Sequence, residues 1–439
     1  MKNKAMILTL GCPKNLVDSE VLASELENTG YEMTSGPREA NIILVNTCGF
    51  IEEAVSESLE AILDLGQMKT EGQRLVVIGC MVGRYGESLV ENLPEVDLFI
   101  SPAGLGRLKE ILDAGESGLA ESKPKVDSTL LKGYSQRMPT TGPGWAYVKI
   151  AEGCANKCRF CTIPSIKGPL ISRNPESILK EIECFAQKGI KEINLVAQDL
   201  TDYGKDVKFK YNLAYLLEQI EKIENIAWVR MHYLNPETIS ENLINAPAKY
   251  SKVLPYFDLP IQHVAEKVVK NMGRRKIEAD IRNILNKISD TYPKFTLRAT
   301  VMVGHPGEGE EEFNQLLEFL AEARFDHLGC FHYQAEEGTP SARMKQIPRE
   351  IALKREEAVM AQQKEISKAK LAERVDNMES ALVLGPHPES DLVWHGRLWS
   401  QAPDVDGELI ITECKAEPGE IAECRIVDSF DYDLEGHIT

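Results

Sequence analysis

The first 122 residues are patterned in pairs, a short apolar run followed by a stretch of helical periodicity. Residues 5–12 (AMILTLGC) precede a helical pattern over 15–30. Residues 41–50 (NIILVNTCGF) precede 51–66, 74–80 (RLVVIGC) precede 83–93, and 96–100 (VDLFI) precede 104–115. Unbroken apolar strands separated by helices predict a parallel sheet covered on both faces. Residues 121–144, rich in Pro, Gly, Ser and Thr, read as a linker. The alternation then resumes, with strand candidates beginning near residues 145, 191, 227, 256, 295 and 327, each followed by or entering a helical pattern. Six units are fewer than a closed eightfold barrel needs, so an open partial (β/α)6 barrel is expected. The helix expected from residue 349 to about 376 is charged on all sides and reads as a bridge between domains. Short strands at 381–385, 391–400, 407–413 and 419–430, separated by turns, predict a small antiparallel β-barrel. The expected organisation is an α/β chain of three domains, residues 1–122, 140–375 and 376–439.

A chain of 439 residues with 43% apolar and 27% charged residues fits several globular cores. No apolar run reaches the length of a bilayer span, and the N-terminus lacks the apolar segment of an export signal. A cytoplasmic location and no membrane partner are expected. The net charge of −18 argues against DNA and against broad nucleic-acid binding, which needs clustered Lys and Arg.

Ten cysteines in such a chain argue for metal binding rather than disulfides. Cys154, Cys158 and Cys161 lie in a CxxxCxxC loop directly after the strand candidate WAYVKI. Structural zinc wants four closed ligands, and no fourth Cys or His is near. Three soft thiolates suit an iron–sulfur cubane with one iron left open. Cys12, Cys48 and Cys80 are distant in sequence, yet each ends an apolar strand candidate, and each has a glycine neighbour (Gly11, Gly49, Gly79). In a parallel sheet those ends share one edge, where ligands bind. Three thiols packed as small hydrophobes are the alternative; the matched strand-end placement favours a second ligand set. Cys184, Cys330, Cys414 and Cys424 read as core.

The CxxxCxxC loop resembles that of radical S-adenosylmethionine enzymes. In that family the open iron binds the amino acid end of the cofactor, and cluster reduction yields a deoxyadenosyl radical. The whole chain is similar to the methylthiotransferases, which carry an N-terminal three-cysteine cluster, a radical domain and a C-terminal TRAM barrel. The resemblance implies two 4Fe-4S clusters and S-adenosyl-L-methionine, with the N-terminal cluster supplying or carrying the methylthio group. One branch modifies adenosine in transfer RNA (the MiaB type); another modifies an aspartate of protein twelve of the small ribosomal subunit (the RimO type). Leu10–Glu20, Thr47–Ile51 and Ile163–Leu170 look like the second branch. Residues 376–439 hold fifteen acidic and only three basic residues, suiting a basic protein partner better than RNA. A flavodoxin- or ferredoxin-like reductant is the second partner expected.

The same resemblance places Phe160 against the adenine and Gly304 and Gly307, in the strand-end turn GHPGE, beside the cofactor. His305 stands where the family usually has an aromatic residue and receives no role. Gln198 and Asp199 end a strand candidate, where either could hydrogen-bond the cofactor or cap the next element. His263 also receives no role. A binding module without chemistry, attached to the translation apparatus, is the alternative from another class.

Overall fold

The computed structural model describes residues 3–121, 133–208 and 210–438. Its N-terminal part is a six-stranded, wholly parallel sheet in the order Glu32–Met33, Lys4–Thr9, Ile42–Thr47, Arg74–Gly79, Leu98–Ile100, Gly118–Glu121. Ile42–Thr47 is buried at every position because helices cover both faces. Leu22 and Leu26 of the helix Pro13–Asn28 pack on one face, and Ile62 and Leu65 of Glu52–Met68 on the other. The edge strands Glu32–Met33 and Gly118–Glu121 lie outside the sequence expectation, being too short or too polar to show an apolar run. The helix expected over 83–93 is two, Cys80–Tyr85 and Glu87–Asn92, broken at Gly86 with φ +48°.

Of the next eight strands, Ala151–Glu152 and Ile171–Ser172 form a short antiparallel pair and the other six form two three-stranded parallel sheets. One holds Trp145–Lys149, Glu192–Val196 and Trp228–Met231; the other holds Tyr256–Gln262, Thr296–Val303 and His327–His332. A single hydrophobic core joins both sheets to the helices outside them. This is the expected open partial barrel. The helix Arg349–Ala372 does join the central domain to the barrel, with Leu371 in the barrel's core, but it is not polar on all sides. It packs along the strand His327–His332, burying Ala352, Arg355, Val359, Gln363, Ser367 and Leu371. Three of those six are polar, which is why no apolar stripe shows in the sequence. Their polar groups are used: Gln363 Nε2 donates to the Phe325 carbonyl at 3.0 Å, and Arg355 Nη1 donates to Glu308 Oε1 at 2.8 Å.

The C-terminal part is a closed barrel of five strands, Met378–His387, Ser390–Leu398, Leu409–Cys414, Ile421–Ser429 and Leu434–Ile438. Four seams are antiparallel; the seam between Leu409–Cys414 and Leu434–Ile438 is parallel. That fifth strand places only Leu434, Gly436 and Ile438 inward, too short an alternation to stand out.

Buried charges fasten this barrel to the central domain. Glu192 accepts from Arg230 at 3.1 Å and from Arg397 of the barrel at 2.6 Å. The Asp406 carboxylate has no exposed side-chain surface and accepts from Arg298 at 2.8 Å and the Tyr256 hydroxyl at 2.7 Å. Some of the C-terminal acids are therefore consumed internally, Asp406 by Arg298 and Glu379 by Arg374, while Asp376 and Asp431 make only surface pairs with Arg425 and Lys364. Removing one partner of a buried pair strands the other charge, at about 3–5 kcal/mol. Asp406→Ala is expected to lower stability by roughly that amount. The measurement is urea unfolding followed by tryptophan fluorescence, since Trp145 and Trp399 lie in the shared core. An unchanged midpoint would remove Asp406 from the fastening.

Candidate functional site

Cys12, Cys48 and Cys80 follow the C-terminal ends of three adjacent strands, Lys4–Thr9, Ile42–Thr47 and Arg74–Gly79. The strand register carries them to one place. A Cβ on Gly11, which has φ +91°, would lie 2.8 Å from Cys48 Cβ; one on Gly49 would lie 2.8 Å from the Cys80 carbonyl carbon. Only glycine permits these approaches. Asn15 ties the three loops together. Its Nδ2 donates to the carbonyls of Leu10 at 3.0 Å and Thr47 at 3.1 Å, and its Oδ1 lies 3.9 Å from Cys80 Sγ.

The electrostatics differ among the three thiols. Burial pushes Cys80 up to about 12, with charge on Cys12 and Cys48 adding to the rise and Lys167 opposing it. Burial also raises Cys48. Burial works against the Cys12 thiolate too, yet Lys14, the Asn15 amide and Lys167 outweigh it and hold Cys12 below its ordinary value. Cys12 is the N-cap of Pro13–Asn28, where helix N–H groups favour an anion.

Cys154, Cys158 and Cys161 form a second group just past the strand Trp145–Lys149. Burial pushes Cys161 up to about 12, and Cys158 and Cys154 add to it. The backbone and side-chain amides of Asn156 approach Cys154 Sγ at 3.4 and 3.6 Å. Asn156 is itself held by Asp199 Oδ2 at 2.7 Å, which also accepts from Asn235 at 2.8 Å. Asp199 thus shapes the loop and caps the turn Leu200–Asp202. Gln198 is half-buried beside it.

Between the N-terminal and central domains lies a mostly apolar cavity of about 550 Å³. Phe50, Ile51 and Glu53, just after Cys48, line one side; Phe160, from between Cys158 and Cys161, lines the other with Met302 and Tyr333. A neighbour in sequence of each thiol group thus faces one space. Its rim is tied across the domains by Gln334 Nε2 donating to Glu53 Oε1 at 3.1 Å and by an Arg84–Glu336 ion pair. His305 is fully buried behind Phe160, with ring centroids 6.3 Å from Phe160 and 5.0 Å from Tyr333. Burial lowers its pKa to about 4, so the ring is neutral at pH 7 and packs as an aromatic residue would. Gly304 and Gly307 have φ of +73° and +97°. A Cβ on Gly304 would meet Ala352 at 2.4 Å, and one on Gly307 would meet Asn271 at 2.2 Å. Helix packing, rather than space for a ligand, demands glycine there.

Among the described residues, no three His, Cys, Asp or Glu side chains are gathered as one metal ion requires. Thiolates on one zinc share a centre at about 2.3 Å each, whereas those of a cubane bind different irons and stand further apart. The donor set of each group, three thiols, is the one that a cubane with an open iron takes. The Lys167 ammonium is buried beside the N-terminal set without a hydrogen-bond partner, its nearest anions being Asp18 Oδ2 at 3.5 Å and Glu152 Oε1 at 3.6 Å.

Comparisons with known proteins agree with this layout. Residues 4–101 match Uncharacterized protein family UPF0004, residues 148–320 the Radical SAM superfamily and residues 380–439 the TRAM domain. The chain is 42% identical to "Ribosomal protein uS12 methylthiotransferase RimO" of Geotalea uraniireducens, covering 100% of this chain and 99% of that one. It is 41% identical to the protein of the same name from Geobacter sulfurreducens, over 100% and 99%. The chain belongs to the RimO family of methylthiotransferases. Among solved structures, the radical S-adenosylmethionine methyltransferase TsrM from Kitasatospora setae shares the fold. Its TM-score is 0.56 at 13% identity, covering 76% of this chain and 72% of that one.

Sequence reasoning for this RimO-family chain missed Asn15, Lys14, Lys167, Asp18 and Glu152, all buried near the N-terminal thiols. A signal existed in the helix Pro13–Asn28, whose inward face is largely polar: Lys14, Asn15, Asp18, Ser19 and Glu20 are all buried. Polar residues on a covered face imply partners. The environment of His305 gives a pH test. Its folded pKa lies below the ordinary 6.5, so the unfolded chain binds more protons between pH 6.5 and 4. Its contribution is present above that window and is lost as pH falls through it. Between pH 7.5 and 5.5, His305→Phe is expected to lose roughly 1 kcal/mol less stability than the parent, measured by urea midpoints at both pH values. Equal losses would show that the ring titrates freely.

Proposed function

We propose that this chain transfers a methylthio group to the β-carbon of an aspartate in ribosomal protein uS12. The observation that carries the reading is that one apolar cavity of about 550 Å³ is lined from both domains by residues next to the two three-cysteine groups, Phe50 two residues after Cys48 and Phe160 between Cys158 and Cys161. Cys154, Cys158 and Cys161 would hold a 4Fe-4S cluster in the central domain; Cys12, Cys48 and Cys80 would hold the second. When bound, the clusters and S-adenosyl-L-methionine supply the radical, the sulfur and the methyl group.

The chain's own residues shape that chemistry. Phe50, Phe160, Met302 and Tyr333 line the cavity with apolar surface that keeps water from a reactive carbon. Phe160 and Gln198 would contact S-adenosyl-L-methionine through their side chains. Gly304 and Gly307 would do so through backbone, since helix packing already forbids a side chain at either. Glu308 Oε2 accepts from the Gly304 amide at 2.8 Å and keeps that turn in place. The Glu53–Gln334 and Arg84–Glu336 contacts hold the two cavity walls in register.

The acidic barrel supports a protein substrate over RNA. Glu413, Glu417, Glu420, Glu423 and Asp428 are exposed on two strands that flank Leu434–Ile438 and on the connection between them. Such a surface repels phosphate and suits a basic protein. No helix of the described residues is long and apolar enough to cross a membrane. We place the reaction in the cytoplasm, with a flavodoxin- or ferredoxin-like protein as electron donor.

Anaerobic reconstitution is expected to load about eight irons per chain, four for each cubane. Cys154→Ala should abolish 5′-deoxyadenosine formation under reduction. Cys48→Ala should keep deoxyadenosine formation and lose methylthiolation. Mass spectrometry of uS12 and of transfer RNA from a deletion strain identifies the substrate. Loss of the methylthio group from RNA with uS12 unaffected overturns the assignment.

A further inference from the structure

The N-terminal thiol group is bordered by two buried ammonium groups that the reading above leaves without a task. Lys167 ends the short helix Ile163–Lys167, which packs against the helix that Cys80 begins. The fit is close: a Cβ on Gly83 would lie 3.2 Å from the Ile166 carbonyl oxygen. The Lys167 side chain is 2% exposed. Its Nζ has no hydrogen-bond partner. The nearest carboxylate oxygens, Asp18 Oδ2 at 3.5 Å and Glu152 Oε1 at 3.6 Å, are too distant for strong bonds. Both carboxylates are instead closely paired with Lys149. An ammonium has three donors, and a buried one without acceptors is costly. Besides those two carboxylates, the groups that act on Lys167 are the sulfurs of Cys80 and Cys12. On the other flank the Lys14 side chain is also buried, its Nζ 4.1 Å from the Tyr233 ring centroid, with Cys12 as its anionic neighbour.

We propose that Lys167, seconded by Lys14, is a positioning residue for the N-terminal cluster that donates a hydrogen bond to cluster or cysteine sulfur and raises the cluster's reduction potential. The inference rests on the ligand assignment made above for Cys12, Cys48 and Cys80. When the cluster takes one electron its charge falls by one, and no covalent bond in the chain is made or broken. A fixed cation in a site of low dielectric stabilises the more negative state. Lys167 differs from Lys149, whose ammonium hydrogen-bonds both Asp18 and Glu152, in having no hydrogen-bond partner of its own.

The test uses the full chain with Cys154, Cys158 and Cys161 all changed to Ala, so that only the N-terminal cluster is loaded. About four irons are expected; a chain without iron overturns the ligand assignment, and this inference with it. The cluster is reduced with dithionite in protein labelled with ¹⁵N only at lysine, and pulsed electron paramagnetic resonance reads nitrogen coupling. A lysine ¹⁵N coupling to the reduced cluster is expected. It should vanish in Lys167→Met and persist in Lys167→Arg when arginine carries the label. In a dithionite titration Lys167→Met should show roughly a tenfold lower ratio of reduced to oxidised cluster at the parent's midpoint. Lys167→Arg should restore most of it. A loaded cluster with no lysine coupling in the unsubstituted Lys167 background overturns the inference without recourse to any variant's folding. So does a Lys167→Met midpoint equal to the parent's.

Discussion

The structure turns on a ladder of buried charges between the N-terminal helix and the central domain. Asp18 and Glu20 leave one face of Pro13–Asn28, and every cation they meet belongs to another part of the chain. Asp18 pairs with Lys149, which also holds Glu152 at 2.6 Å. Glu20 pairs with Arg137, which also holds Glu181 at 2.5 Å, and Glu181 holds Arg173 at 2.7 Å. All of these side chains are at most 6% exposed. Desolvation makes such a ladder a poor source of net stability, but separating any member strands its partner at a cost of about 3–5 kcal/mol. The ladder therefore specifies where the domains sit more than it adds to their stability. It also sets the reactive geometry. Asp18 lies on the helix that Cys12 caps, and Glu152 lies two residues before Cys154. The same ion pairs that join the domains fix one thiol group against the other.

Much of this was legible in the sequence because strand periodicity is local. Thr9, Thr47 and Gly79 close three neighbouring strands of a parallel sheet, so the cysteines just beyond them share an edge whatever the helices do. The CxxxCxxC loop is similarly self-contained. What stayed hidden is polar and distant. Asn15 joins Leu10 and Thr47, which no spacing rule connects, and Lys167 meets Asp18 across 149 positions of chain. The helix Arg349–Ala372 misled because its inward face uses Arg355, Gln363 and Ser367 in place of apolar residues. Periodicity reads burial only when burial is apolar.

The acidic barrel shows the opposite error, a pattern visible in the sequence and over-read there. Fifteen acidic residues against three basic ones suggest a uniformly negative surface. Asp406 is buried on Arg298 and Tyr256, and the Asp404 carboxylate accepts from the Tyr147 hydroxyl at 3.0 Å. Both acids serve the domain joint, and Asp406 presents nothing to a partner. The negative field that remains comes from exposed residues of two strands, Leu409–Cys414 and Ile421–Ser429, and the turn between them. A partner drawn by charge would meet that side of the barrel first. Because Asp406 and Arg397 lock the barrel to the central domain, a protein gripped there is held in a fixed orientation to the cavity. Attraction without that joint would raise local concentration but give no aim. The buried half of the charge thus supplies orientation and the exposed half supplies capture, which is why a net count over the segment describes neither.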